Sequence, residues 1–275
     1  EELSTKNVAT WSSLISGYAN QGKGLQALKC YKRMRNEGIL PNALTFTCIL
    51  KACANIGDVK KGKQIHGEVL NRGMLSEKDV LLGTSLVDMY AKCGDLGLAQ
   101  RVLEEIPVRN LASWSALMRG YTEHKQNYKA LNSLECMQNE GFSPDAITFT
   151  CILKACGNSG AIEKGQEIHD EILSQGLLNN NIVLGTALVD MYAKCDMLTK
   201  AEYVFKELGL RDIVTWSALI AGYAQQGQSY EALRCFKEMR SEGLSPNTVT
   251  FICILKACGI NEGKQIHEEI VSRGL

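Results

Sequence analysis

The chain has 275 residues, 45% hydrophobic and 22% charged, enough apolar material for one or two ordinary domains or a single elongated array, which excludes a disordered tail. Its 30 basic and 30 acidic side chains cancel, so no global field draws it onto polyanions or anionic membranes, and any nucleic-acid contact must be local. Only four prolines occur, no apolar run approaches the roughly 18 residues that span a bilayer, and no signal-peptide pattern opens the chain.

From Val8 the string VATWSSLISGYA places Trp11, Leu14, Ile15 and Tyr18 on one helical face, up to a stop at Gly22. A second helix follows, with Ala27, Leu28, Tyr31 and Met34 at i, i+1, i+4 and i+7. NEGILPN closes it, Pro41 coming shortly after the terminating glycine, so the first hairpin covers 8–42. ALTFTCILKACA opens a hairpin over 43–79, and VLLGTSLVDMYAKCG one over 80–110. The cycle then recurs as ASWSALMRGYT, with Ala130, Leu131, Leu134 and Met137, over 111–145, AITFTCILKACG over 146–181 and IVLGTALVDMYAKCD over 182–212. VTWSALIAGYA, with Ala232, Leu233, Phe236 and Met239, covers 213–247, and a partial repeat fills 248–275.

Trp11, Trp114 and Trp216 are 103 and then 102 residues apart, and each long period holds hairpins of 35, then 36 or 37, then 31 residues. Self-similarity at a fixed period is the signature of a repeat architecture. A hairpin this short cannot bury its apolar face alone, so neighbours must stack. The fold expected is all-α, a single array forming a right-handed superhelical α-solenoid of stacked helix-turn-helix repeats. Gly17, Gly120 and Gly222 inside first helices each cost about 1 kcal/mol relative to alanine, and close helix–helix approach is the expected reason. The last repeat reads KACGINEGKQIH where an earlier one reads KACGNSGAIEKGQEIH; it is four residues shorter, so its turn or second helix must differ.

Eleven cysteines raise the question of a disulfide scaffold or a zinc site. Cys48 with Cys53, Cys151 with Cys156, and Cys253 with Cys258 are five apart in helical segments, which turns the two side chains about 140° from each other. Neither a metal clamp nor a bridge fits, and thiols in apolar stretches behave as small hydrophobes. His66, His169 and His267 recur once per long period in KQIH or QEIH, which marks a repeat position. No nucleophile beside a base, no phosphate loop and no H-x-E with C-x-x-C occurs, so no catalysis, cofactor, metal or small-molecule substrate is expected.

The alternation of a hairpin opening NVATWSSLISGYA and ending LPN, a longer one with TFTCILKAC and GKQIH, and a 31-residue one with LVDMYAKCG resembles the plant-type PLS subclass of pentatricopeptide repeat proteins. The resemblance covers essentially the whole chain, EELSTKN at 1–7 being similar to the end of a preceding short repeat. It implies single-stranded RNA binding, one base per repeat, and a mitochondrial or chloroplast setting in RNA processing or editing, with factors acting in trans. It also implies that the fifth and last residues of each repeat read the base. These are Ser12 with Asn42, Thr47 with Asp79, Thr84 with Asn110, Ser115 with Asp145, Thr150 with Asn181, Thr186 with Asp212, and Ser217 with Asn247. Asparagine amides suit the acceptor and donor on adenine's edge and aspartate carboxylates the N–H donors of guanine. The implied site is 5′-A-G-A-G-A-G-A-3′, in its firmer form 5′-A-N-A-G-N-G-A-3′ because long repeats obey the code poorly.

Branched apolar residues in second place, Ile147, Val183 and Val214, would sandwich bases, whereas Ala9 and Ala112 offer less surface. Lys92 and Lys194 match the family's phosphate position, which Asn20, Glu123 and Gln225 occupy in the 35-residue repeats. Ile252 stands in the last repeat's fifth place and cannot hydrogen-bond a base, so that repeat is expected to be a worn end cap. Two alternatives stay open. Every final Asn or Asp precedes a helix, where such residues are preferred N-caps worth about 1 kcal/mol. Zero net charge and a pI near 7.1 also suit a protein-binding scaffold of the tetratricopeptide kind.

Overall fold

The computed structural model describes residues 7–77, 79–179 and 181–274, so all of the expected preceding repeat except Asn7 lies outside the described residues. Among the described residues there are sixteen helices, joined by turns, in two compact bodies, Glu1–Pro144 and Asp145–Leu275. The first body holds α1 (Val8–Asn20), α2 (Gly24–Asn36), α3 (Ala43–Ile56), α4 (Val59–Asn71), α5 (Val80–Lys92), α6 (Leu96–Glu105), α7 (Leu111–Glu123) and α8 (Asn127–Asn139). The second holds α9 (Ala146–Ser159), α10 (Ile162–Ser174), α11 (Ile182–Lys194), α12 (Leu198–Glu207), α13 (Ile213–Gln225), α14 (Ser229–Ser241), α15 (Thr248–Ala257) and α16 (Ile260–Ser272).

Within each body the odd-numbered helices lie side by side as one layer, α1 on α3, α3 on α5 and α5 on α7, then α9 on α11, α11 on α13 and α13 on α15. The even-numbered helices form a second layer. Each packs on its hairpin partner, and α2, α4, α6, α10, α12 and α14 also pack on the first helix of the following hairpin. Each body is therefore a stretch of α-solenoid in which the cleft between one hairpin and the next is closed by apolar side chains. Ala27 and Met34, Ala130 and Met137, and Ala232 and Met239 are all 0% exposed, the stripe expected from their i, i+7 spacing. Truncating one such methionine to alanine would cost about 2–5 kcal/mol.

The turn inside each of the seven complete hairpins is set at the fifteenth residue of the repeat. Gly22, Gly57, Gly94, Gly160 and Gly227 have φ between 70° and 80°, and Lys125 (59°) and Asp196 (61°) hold the same left-handed conformation despite carrying side chains. Close approach explains two of the three mid-helix glycines. A Cβ on Gly120 would stand 2.7 Å from the Ala91 Cβ, and one on Gly222 2.7 Å from the Ala193 Cβ. Gly17 has nothing within 4 Å, because no hairpin precedes α1 among the described residues.

The shortened last repeat loses its residues from the first helix: α15 has 10 residues where α3 and α9 have 14, and α16 keeps the 13 of α4 and α10. The sequence points to the turn or the second helix; the structure keeps the second helix and connects the two through extended Cys258 and Gly259. Cys53, Cys156, His66 and His169 are packing groups. Cys53 and Cys156 are buried, which pushes their thiols up to about 12. His66 and His169 pair through Nδ1 with the Tyr90 and Tyr192 hydroxyls at 3.0 and 2.9 Å, and burial holds both imidazoles below their ordinary pKa.

Candidate nucleic-acid interface

The last residue of each repeat sits at the start of the next first helix, and its side chain is held there by that helix. Asn42 is extended (φ −103°, ψ −179°), and its Oδ1 accepts from the Thr45 backbone N–H at 2.9 Å and the Thr45 hydroxyl at 2.8 Å. Asn247 repeats the arrangement with Thr250 at 2.9 and 3.0 Å. Asp212 accepts from the N–H groups of Val214 and Thr215 and from the Thr215 hydroxyl, at 3.0, 2.9 and 2.8 Å. Asp145 holds Thr148 N–H and hydroxyl, both at 2.8 Å, and Asn110 caps Ser113 at 2.8 Å. Asn181 caps Leu184 at 3.1 Å with ψ 82°. Asp79 makes no cap bond; its ψ is 41° and its Oδ2 accepts from the Ser76 hydroxyl at 2.9 Å.

Capping is therefore a property of six of these seven residues. It does not exhaust them. An N-cap uses one side-chain oxygen, which must be an acceptor because its partners are N–H groups. In Asn42, Asn110 and Asn247 the atom left over is the amide Nδ2, a donor; in Asp212 it is Oδ2, an acceptor. The cap thus decides which way round the asparagine amide stands and makes Asn and Asp chemically opposite at the same place.

The fifth residues fall into two groups. Ser12, Ser115 and Ser217, in the 35-residue repeats, are buried, whereas Thr47, Thr84, Thr150 and Thr186 are partly exposed. Thr84 donates to the Val80 carbonyl at 2.9 Å and reaches Asn110 Oδ1 at 3.4 Å. Thr150 turns back to the Ala146 carbonyl at 2.7 Å. The Ser115 and Asp145 pair is divided between the two bodies.

Beside each cap, the second residue of the repeat stands out in solvent. Ile147, Val183 and Val214 are exposed, and so are Leu44, Leu81 and Val249 at the same place in their repeats, all six between 52% and 63%. Counting two residues on from each final Asn or Asp finds them. Ala9 and Ala112 are exposed at the equivalent places. A branched apolar side chain left in water beside a directed polar group suits the face of a planar ring.

The lysines are less available than their positions suggest. Lys92 Nζ pairs with Asp88 Oδ2 at 2.7 Å and Lys194 with Asp190 Oδ2 at 2.6 Å, and Arg119 also reaches Asp88, at 2.8 Å. Among the described residues no cluster of His, Cys, Asp and Glu is arranged to hold a metal ion.

Comparison with known proteins matches this organisation. The PPR repeat family matches residues 6–55, 109–158 and 211–259, and the PPR repeat matches 44–74, 84–111, 147–177 and 186–213. Pentatricopeptide repeat-containing protein At2g33680 of Arabidopsis thaliana is 36% identical over 98% of this chain and 36% of its own length. The chloroplastic pentatricopeptide repeat-containing protein At4g18520 of Arabidopsis thaliana is 35% identical over 94% of this chain and 41% of its own length. The chain thus spans well under half of these relatives. Among solved structures, pentatricopeptide repeat protein PPR10 in complex with an 18-nt psaJ RNA element aligns at 23% identity over 98% of this chain and 41% of that one, with a TM-score of 0.83. PPR10 from maize aligns at 22% identity over 98% and 39%, with a TM-score of 0.74, and both likenesses show a shared helical-repeat fold.

Proposed function

The chain belongs to the pentatricopeptide repeat family, and we propose that it binds single-stranded RNA, one nucleotide per hairpin, with its amino end toward the RNA 5′ end. The observation that carries this reading is the capped Asn or Asp, whose inner oxygen is committed to the helix and whose outer atom is a donor in Asn42, Asn110 and Asn247 and an acceptor in Asp212. A donor meets the ring acceptor of adenine and an acceptor meets the N–H groups of guanine. Exposed second-place side chains, Ile147, Val183 and Val214 with Leu44, Leu81 and Val249, flank the base. The site preferred is 5′-A-N-A-G-N-G-A-3′.

The unread positions follow from the caps before the short repeats, where Asp79 turns to Ser76 and Asn181 has a backbone donor only. That change of cap, with hairpins of 35, 36 or 37, and 31 residues, supports a PLS-type arrangement. The array acts as the targeting part of a mitochondrial or chloroplast RNA-processing or editing factor, with further factors acting in trans. No chemistry is assigned to its own side chains. Equilibrium binding of 5′-A-N-A-G-N-G-A-3′ against a pyrimidine-rich oligonucleotide of equal length tests the reading. The purine site binds more tightly if it holds. A pyrimidine preference sinks the code, and no binding to any single-stranded RNA at about 50 mM salt, where phosphate contacts are strong, replaces it with the protein-scaffold function.

A further inference from the structure

In three repeats the fifth and last residues are joined by a third residue that no part of the code includes. Ser12 Oγ lies 2.7 Å from Thr45 Oγ1, which lies 2.8 Å from Asn42 Oδ1. Thr186 Oγ1 lies 2.6 Å from Thr215 Oγ1, 2.8 Å from Asp212 Oδ1. Ser217 Oγ lies 2.7 Å from Thr250 Oγ1, 3.0 Å from Asn247 Oδ1. Thr45, Thr215 and Thr250 are each the third residue of the next repeat and each is 0% exposed.

Proton accounting gives these chains a direction. Neither a carboxylate oxygen nor a cap-bound amide oxygen can donate, so the middle hydroxyl gives its one proton to Oδ1. The contact on its other side must then be the fifth residue donating to the middle oxygen. The proton of Ser12 or Ser217 is spent inside the protein, and with 1% and 5% exposure neither serine presents a donor to a base. The fifth residue acts on the last one chiefly through the third, the direct approach of Ser12 Oγ to Asn42 Oδ1 being longer, at 3.5 Å. Oδ1 receives both a backbone N–H and a hydroxyl, which holds the amide of Asn42 and Asn247 with Nδ2 outward.

Where the third residue is not a hydroxyl the chain is missing. Leu82 and Leu184 stand there, three residues after Asp79 and Asn181; Thr150 closes on its own helix and Asp79 on Ser76. These are the pairs of the two long repeats. Ser113 is intermediate: its hydroxyl donates to the Asn110 backbone carbonyl at 2.8 Å instead of to Oδ1.

We propose that Thr45, Thr215 and Thr250 are specificity-determining positioning residues, each relaying the fifth residue of one repeat to the base-reading Asn or Asp at its end. The proposal rests on the RNA-reading function above. Its test is Thr45→Val, which keeps the shape and removes the hydroxyl, beside Thr45→Ser, which keeps the hydroxyl. Binding is measured to oligonucleotides that vary only at the first nucleotide and to a set that varies only at the sixth, with thermal unfolding in parallel. Thr45→Val is expected to lower A-over-G preference at the first nucleotide about fivefold, leave the sixth unchanged, and be rescued by Thr45→Ser. Wild-type preference in a folded Thr45→Val protein overturns the relay and leaves the RNA reading standing. Equal loss for every oligonucleotide makes Thr45 a packing residue and also overturns it. Absence of any base preference in the wild-type protein overturns relay and reading together. If Thr45→Val does not fold, Thr250→Val, read at the seventh nucleotide, gives the same decision from the last repeat.

Discussion

Asp212→Asn separates capping from reading, because the two roles use different atoms of one side chain. Asp212 Oδ1 is held by three donors, from Val214 N–H, Thr215 N–H and the Thr215 hydroxyl, at 3.0, 2.9 and 2.8 Å. An asparagine there must keep its oxygen inward, since turning the amide would set two hydrogens against three donors. Asn and Asp cap equally well, so the cap itself changes by a few tenths of a kcal/mol. Loss of the negative charge at the start of α13 adds about 0.3–1 kcal/mol of destabilisation through the helix dipole. Thermal unfolding should therefore register a loss of about 1 kcal/mol at most. The outer atom changes from acceptor Oδ2 to donor Nδ2. Guanine's N–H groups then face a donor while adenine's ring nitrogen gains one, and preference at the sixth nucleotide moves from G to A by about 1 kcal/mol or more. Asn110→Asp makes the reverse change, A to G at the third nucleotide. Fluorescence anisotropy with four oligonucleotides differing only at the addressed base measures both. Unchanged base preference in variants that still bind RNA would refute the reasoning and leave these residues as caps.

Salt dependence should be shallow, with a log–log slope of roughly −1 to −3, because Lys92 and Lys194 already hold Asp88 and Asp190 and must exchange a carboxylate for a phosphate. Replacing either lysine with alanine weakens all sequences alike, and a much steeper wild-type slope would reveal a basic groove beyond these two lysines. In chemical denaturation, Gly222→Ala is expected to cost about 1–3 kcal/mol, since its Cβ would stand 2.7 Å from the Ala193 Cβ, whereas Lys125→Gly, relieving a left-handed lysine, gains about 1 kcal/mol. Burial lowers the His66 and His169 pKa, so the unfolded chain binds protons more readily; their contribution is complete above the unfolded value of about 6.5 and is lost as pH falls toward the folded one. The drop in melting temperature from pH 8 to pH 5 should shrink in a His66→Gln, His169→Gln double variant, and an unchanged drop would show that these imidazoles do not contribute.

Local chemistry made much of this molecule legible in its sequence. The first helix of each hairpin begins after an Asn or Asp, apolar residues at i, i+4 and i+7 bury one face, and recurrence of the same strings requires the same hairpins to stack. The second-place residues were equally legible by counting from the caps, and Leu44, Leu81 and Val249 needed only that count. Other features lay beyond any local pattern. Asp79 and Asp212 are the same residue at the same place in their repeats, yet Asp79 accepts from the Ser76 hydroxyl and makes no cap bond while Asp212 holds the start of α13. Gly17 and Gly120 share a repeat position too, and a neighbouring hairpin crowds only the second. The deletion in the last repeat could be measured from the strings, but that the first helix absorbed it is seen only in the 10 residues of α15 against the 13 of α16. The bond from Ser12 to Thr45 joins residues 33 apart, which periodicity places in neighbouring hairpins without saying that their hydroxyls meet. Periodicity and caps act within a few residues of one another; who shares a proton with whom is settled only when the hairpins stack.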